Sequence, residues 1–347
     1  MLTLFALCVK DHNETIYADY AATTPCHPKV VKKMEPYWGL PYGNANSKHA
    51  FGLKAKHAIQ KAKTRIARLI KADPEEIVFT SGATEANHIA IRQLNKKTHI
   101  ITSVIEHKSV LYACKNLDIR ITYVPVKKDG RICLDTLEKS ITADTGLVSI
   151  MWVNNETGII QPIQEIAAIC RKHNIPFHTD ASQAVGKVDI DAHMVDAMSF
   201  TAHKIYGPQG VGALYVRKGL HIERSGTPPT ALCIGFGAAC KLMMQTPYPT
   251  EYYERFYKAL QNYGVILNGD NKYRVPDVFN VRFQGKIPAE FIKNVAMSQG
   301  SACLKEPSYV LREMGLTEDE IAHSFRISLS RFVTEDEVDA LTSVITS

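Results

Sequence analysis

Eight cysteines stand at positions 8, 26, 114, 133, 170, 233, 240 and 303, and no two form a Cys-x-x-Cys pair or a zinc-ligand spacing. A structural zinc module is therefore not expected, nor, in a chain of 347 residues with no secretory signal, a disulfide framework. Long hydrophobic runs are also missing. The apolar opening at residues 1–9 has no basic start and runs straight into Lys10-Asp11-His12-Asn13-Glu14, so it reads as a short strand or docked arm. No membrane association is expected, and a cytoplasmic location is. A dense basic run is absent too: 41 Lys and Arg against 35 Asp and Glu leave a charge of only +6, spread along the chain. That balance does not argue for direct nucleic-acid binding. Internal repeats and low-complexity tracts are likewise lacking.

What remains is an ordinary globular composition, 45% hydrophobic and 22% charged, long enough for one large domain and a smaller one. Pro28 opens a helix with Val30, Val31, Met34 and Trp38 at helical spacing. A longer helix follows, with Ala55, Ala58, Ile59, Ala62, Ile66 and Leu69 along one stripe. Short apolar runs at 77–80, 99–103, 121–126, 147–153, 177–180, 197–201 and 213–216 then alternate with helix-like stretches. This rhythm predicts an α/β fold with a mainly parallel sheet covered on both faces. Cys170 shares a helical face with Ile163 and Ile166 and reads as a small core residue. Beyond about residue 240 the pattern becomes mixed, with strands at 278–283 and 325–330 and helices near 252–263, 289–297 and 309–314. A final helix opens on a Thr334/Glu337 capping box. The expected division is a large domain over 16–240 and a small α+β C-terminal domain over 241–347, joined by residues 1–15.

Five short stretches carry chemistry. Lys204 lies just past a short apolar run, and Asp180 stands 24 residues earlier at the end of another. A lysine and an aspartate so placed suit pyridoxal phosphate: the amine tethers the cofactor and the carboxylate keeps its ring nitrogen protonated. In Thr80-Ser81-Gly82-Ala83-Thr84 a strand turns into a helix, whose open amides and the Thr84 hydroxyl would cradle a phosphate, although the same residues make a plain strand-to-helix turn. Thr201 and His203, flanking the lysine, offer further donors. His107, after the run ending at Ser103, suits stacking on an aromatic cofactor or, equally, helix capping. Asn155, in Asn154-Asn155-Glu156-Thr157-Gly158, reads either as a hydrogen-bonding residue or as turn chemistry.

Taken together these stretches resemble the cysteine desulfurases, enzymes of the class V aminotransferase fold. The likeness rests on Tyr17-Ala18-Asp19-Tyr20-Ala21-Ala22-Thr23-Thr24-Pro25, Ser81-Gly82-Ala83-Thr84-Glu85, Glu106-His107-Lys108 and Asn154-Asn155-Glu156-Thr157-Gly158. It continues through Asp180-Ala181-Ser182-Gln183, His203-Lys204-Ile205-Tyr206-Gly207-Pro208, Gly300-Ser301-Ala302-Cys303 and Arg326-Ile327-Ser328-Leu329-Ser330-Arg331-Phe332. It spans the chain from about residue 16 to the C-terminus.

The resemblance implies a pyridoxal-phosphate transferase of fold type I that takes sulfur from L-cysteine and leaves L-alanine. Lys204 would tether the cofactor and act as base, Asp180 would pair with the ring nitrogen, and Gln183 would bond the ring hydroxyl. His107 would stack on the ring and handle the substrate's thiol proton. Ala83, Thr84, Thr201 and His203 would hold the phosphate, with Thr227 reaching the phosphate of a partner subunit in a homodimer. Asn155 and Arg326 would bind the substrate carboxylate, for which a guanidinium fork is suited. Cys303 would be the nucleophile that collects sulfur as a persulfide and hands it to an acceptor protein serving iron–sulfur assembly, tRNA thiolation or DNA sulfur modification. A selenocysteine lyase, a related lyase or aminotransferase, and an inactive scaffold are the alternatives. Two of the chain's departures from the family's pattern bear on the site. Only Leu304 and Lys305 separate Cys303 from Glu306-Pro307, and the glycine-rich segment before Arg224-Ser225-Gly226-Thr227 is missing.

Overall fold

The computed structural model describes residues 15–39, 42–285, 287–299 and 307–346. Seven strands form the main sheet, in the order Ile77–Thr80, Gly212–Val216, Ala197–Thr201, Phe177–Asp180, Thr145–Ser149, His99–Ser103, Arg120–Val124. Gly212–Val216 runs antiparallel to both neighbours, and every other pairing is parallel. The strands are apolar on both faces because helices cover both, and residues 145–149, 197–201 and 212–216 are buried throughout. The edge strand Arg120–Val124 differs, with an exposed arginine and a largely half-buried row that discourages further pairing.

One face is covered by the helices Ala50–Ile70 and Thr230–Gln245, which pack closely against each other. Gly237 makes that approach possible: a Cβ there would sit 2.7 Å from the Ala62 Cα. The helix Thr230–Gln245 buries Cys233, Phe236, Cys240 and Met243 in the large core, together with Cys170. A second core is built from Tyr253, Phe256, Phe279, Phe291, Phe325, Leu341 and their neighbours. It lies on a three-stranded antiparallel sheet ordered Ser324–Ser328, Val278–Arg282, Ile266–Leu267. Ile16 and Ala18, from the start of the described chain, join this second core. The Thr334/Glu337 capping box forms, with the Thr334 amide donating to Glu337 Oε2 at 2.8 Å.

Several local expectations change. The strand expected over 147–153 ends at Ser149, although Ile150 and Trp152 still donate to His178 and Asp180 carbonyls. The helix expected over 289–297 stops at Asn294, because Val295 and Ala296 pair with Ile16 and Tyr17. A short helix, Glu318–Ala322, was not foreseen. Val31 and Trp38, spaced like core residues, are exposed, and Val30 and Met34 alone bury that helix. Among the described residues no helix is long and apolar enough to cross a membrane.

Candidate active site

Because the parallel strands share a direction, their carboxyl ends gather at one edge of the sheet, and so do the loops that follow them. A cavity of about 470 Å³ opens there. It is lined by ten of the twelve residues singled out in the sequence: Ala83, Thr84, His107, Asn155, Asp180, Gln183, Thr201, His203, Lys204 and Arg326. Thr227 is exposed and stands outside it. Cys303 and its Gly-Ser-Ala-Cys motif fall outside the described residues.

Lys204 ends a single tight turn after the strand Ala197–Thr201. Two residues later the backbone reverses at Tyr206, whose φ of 63° is a left-handed conformation unfavourable for an aromatic residue. Tertiary bonds hold it there. The Tyr206 amide donates to Thr24 Oγ1 at 2.7 Å, and the Tyr206 hydroxyl accepts from the Arg331 amide at 2.7 Å. Thr24 Oγ1 in turn donates to the His203 carbonyl at 2.8 Å. The loop carrying Lys204 is thus pinned by Thr24 near the start of the described chain and by Arg331 near its end.

Asp180 caps its strand and accepts at both oxygens, from the Ser182 amide at 2.9 Å and from Asn87 Nδ2 at 2.7 Å. Burial alone would raise its pKa, but at the acid pH where the carboxyl titrates a protonated His107 and these hydrogen bonds hold it below the ordinary value. An ionised, buried acceptor at the cavity wall is what a protonated ring nitrogen requires. Gln183 has its polarity set by two neighbours. Its Nε2 donates to the Ala21 carbonyl at 2.7 Å, and its Oε1 accepts from Lys187 Nζ at 3.1 Å. Lys187 is itself fixed by a 2.8 Å ion pair with Asp277, both about 7% exposed. A lysine can only donate, so Gln183 keeps a spare N–H.

At the phosphate end, the helix Ala83–Leu94 begins at Gly82 with no side-chain cap, leaving first-turn amides open toward the cavity. Gly212 lets that turn lie against the sheet, since a Cβ there would meet the Gly82 carbonyl carbon at 2.6 Å. His203 hydrogen-bonds Thr23 Oγ1 at 3.0 Å and has its pKa lowered to about 4 by burial and then by Lys204. It is a neutral ring. At the other end Arg326, 2% exposed, donates to the Asn155 carbonyl at 2.8 Å, to Asp19 Oδ1 at 2.6 Å and to Ser298 Oγ at 3.1 Å. Arg326 Nε, Asn155 Oδ1 and Ser182 Oγ are buried without partners. Unpaired buried polar atoms on three cavity residues are the mark of a site built for a polar ligand. The donors, the carboxylate and the lysine together fit pyridoxal phosphate.

The fold matches those residues to a known group. The family model for class-V aminotransferases matches residues 16–224 and 220–341. The chain belongs to the class-V aminotransferase family. Within this family it stands with the cysteine desulfurases: it is 45% identical to the cysteine desulfurase IscS of Rickettsia felis over 96% of this chain and 91% of that protein. Among solved structures, a NifS-like protein superposes with a TM-score of 0.88 at 32% identity, covering 95% of this chain and 98% of that one. SspA in complex with cysteine superposes with a TM-score of 0.83 at 36% identity, covering 92% and 99%. The expected α/β architecture of fold type I is thus found.

Sequence reasoning overlooked Asp19, Asn87, Glu106, Ser109 and Lys187. Asn87 had a readable signal: a polar residue on the otherwise apolar face formed by Ala86, Ala90, Ile91 and Leu94. Glu106 lies fully buried behind His107, accepting from Ser103 Oγ at 2.7 Å and the Met151 amide at 2.8 Å. Burial pushes its pKa from 4.5 up to about 8. Between those values the folded chain holds a proton that the unfolded chain has lost, so stability falls as pH rises from about 4.5 to about 8. Glu106→Gln, neutral at every pH, should flatten that part of the slope in urea-unfolding midpoints measured across the window. An unaltered slope would mean that the wild-type carboxyl is ionised throughout.

Proposed function

We propose that this class-V aminotransferase-family member is a pyridoxal-phosphate-dependent cysteine desulfurase that converts L-cysteine to L-alanine and passes the sulfur to an acceptor protein. The observation that carries the reading is the convergence of Lys204 and the ionised Asp180 on one cavity with Arg326 at its far end. When bound, the cofactor supplies an electron sink for negative charge at the substrate's α-carbon. Lys204 is the tether, and its amine takes the α-proton. Asp180 would accept a hydrogen bond from the ring nitrogen, and the spare N–H of Gln183 would go to the ring hydroxyl. The amides of Ala83 and Thr84, with Thr201 and His203, hold the phosphate. Arg326 and Asn155 orient the substrate carboxylate.

Sulfur leaves by nucleophilic displacement. The Cys303 thiolate attacks the substrate's sulfur, and an S–S bond forms as the C–S bond breaks. The bonding pair stays on the substrate's β-carbon, which takes a proton to become the methyl group of alanine, and Cys303 is left as a persulfide. The enzyme works as a homodimer, with Thr227 reaching toward the partner's phosphate. Exposed Trp38, Tyr42, Phe51 and Leu53 support this, with Tyr42 and Phe51 rings 5.6 Å apart on the surface. We place the enzyme in the cytoplasm.

The test is product analysis. Purified protein with L-cysteine and a reductant should release alanine and sulfide in equal amounts. Cys303→Ser should keep the cofactor's colour and release no sulfide. Wild-type sulfide release by that variant would remove Cys303 from the nucleophile's role, and amine transfer requiring a keto acid would point to an aminotransferase instead.

A further inference from the structure

His107 has a fixed tautomer, and the residues that fix it are Asn87 and Ser109. The constraint begins with Asp180, whose ionised carboxylate can only accept. Asn87 lies 2.7 Å from Asp180 Oδ2 and 2.9 Å from Ser109 Oγ, through the same amide nitrogen. Were the amide turned over, its oxygen would face a carboxylate oxygen, two acceptors in contact. Asn87 therefore spends both of its N–H groups on these neighbours, and its own oxygen is left buried without a partner. Leaving an acceptor unpaired at 0% exposure is unfavourable. Retaining it is sensible only if the two donated bonds matter.

The direction of donation then passes along the chain of contacts. Ser109 Oγ accepts a hydrogen bond from Asn87, so its own O–H turns toward its other neighbour, His107 Nδ1, at 2.8 Å. The backbone amide of Ser109 also points at Nδ1, at 3.2 Å. A backbone N–H cannot accept, so Nδ1 has to present a lone pair. The ring proton consequently resides on Nε2 (a tautomer assigned from its partners). Burial, followed by the charge of Lys204, lowers the His107 pKa, which keeps the ring neutral.

We infer that Asn87 and Ser109 are positioning residues that lock His107 as the neutral Nε2–H tautomer, so that it meets the substrate as a hydrogen-bond donor and not as a base. The sequence motif led to the opposite expectation, that His107 would handle the thiol proton. With Nδ1 enclosed by Ser109 and Nε2 already protonated, the neutral ring has no basic nitrogen to offer the cavity. Its helix-capping role and its place at the cavity are one arrangement: the cap bond is what orients the ring.

The functional consequence rests on the desulfurase reading, but the lock does not, and the experiment separates them. Purified protein labelled with [¹⁵N]histidine is examined by long-range ¹H–¹⁵N correlation, with the His107 signals identified by their loss in His107→Gln. The same sample's absorbance reports the bound cofactor. We expect His107 to be Nε2–H with an Nδ1 lone pair. Ser109→Ala and Asn87→Leu should each shift the population roughly tenfold toward Nδ1–H, the size of one lost hydrogen bond, and Ser109→Thr should restore the wild-type pattern. A wild-type ring that is Nδ1–H or doubly protonated at neutral pH overturns the inference. So does a tautomer ratio unchanged in both Ser109→Ala and Asn87→Leu. A colourless protein with the expected tautomer would refute the cofactor reading and leave the lock standing.

Discussion

Lys204→Ala should yield a protein that folds but carries no covalently attached cofactor and produces neither alanine nor sulfide from L-cysteine. The fold should survive because the turn Ala202–Lys204 is held by backbone and neighbouring side chains: the Tyr206 amide on Thr24, the Tyr206 hydroxyl at Arg331, and Thr24 on the His203 carbonyl. None of these bonds uses the Lys204 amine. The chemistry, by contrast, loses both its tether and its base. Loss of a positioned base alone costs about 10²–10⁴-fold, and the missing tether adds to it. Borohydride reduction followed by peptide mapping is the decisive measurement. Wild-type protein should give a pyridoxyl-modified peptide containing Lys204, and the variant none. Modification at any other lysine, with activity preserved in the variant, would refute the assignment.

Asp180→Asn should retain the cofactor on Lys204 yet turn over several hundredfold more slowly or worse. Asp180 accepts two hydrogen bonds, one at each oxygen, from the Ser182 amide and from Asn87. An asparagine accepts at one position only, so its amide nitrogen faces either the Ser182 N–H, donor against donor, or Asn87, whose amide must then turn over to accept it. The negative charge opposite the ring nitrogen is lost at the same time. Removing one member of a buried charge pair costs about 3–5 kcal/mol, or roughly 10²–10⁴ in rate if it is felt in the transition state. The effect should fall on kcat more than on the KM for cysteine, because the proposed function gives the substrate's carboxylate to Arg326 and Asn155 instead. A variant with wild-type kcat would show that the carboxylate does not serve the ring. A large change in KM alone would assign Asp180 to substrate binding instead.

The two predictions draw on different levels of information. That Lys204 and Asp180 matter was readable from their positions at the ends of short apolar runs, since strand ends in a parallel sheet are where ligands gather. That Asn87 commits both N–H groups to Asp180 and Ser109 was not readable, because residues 87, 109 and 180 meet only after strands and helices are stacked. The polar residue on the apolar face of its helix was a visible anomaly without an address. Glu106 was quoted in the sequence as a neighbour of His107, yet its burial, and hence its raised pKa, depends on Ser103 and Met151 closing around it. Trp38 illustrates the converse: its spacing matched a buried stripe, but among the described residues it is 67% exposed.

The order of strands and helices around the main sheet and the capped final helix follow from the chain alone, because hydrophobic period and turn chemistry are local properties. Gln183 and Arg326, by contrast, were singled out only through the family resemblance. The end of the helix at Asn294 was not local. Pairing of Val295 and Ala296 with Ile16 and Tyr17 joins segments nearly 280 residues apart in the chain. Hydrogen-bond polarity was decided by tertiary structure as well. Which nitrogen of His107 carries the proton, and which way Gln183 and Asn87 turn, depend on what each buried group finds opposite it. A donor or acceptor has no direction until folding supplies its partner.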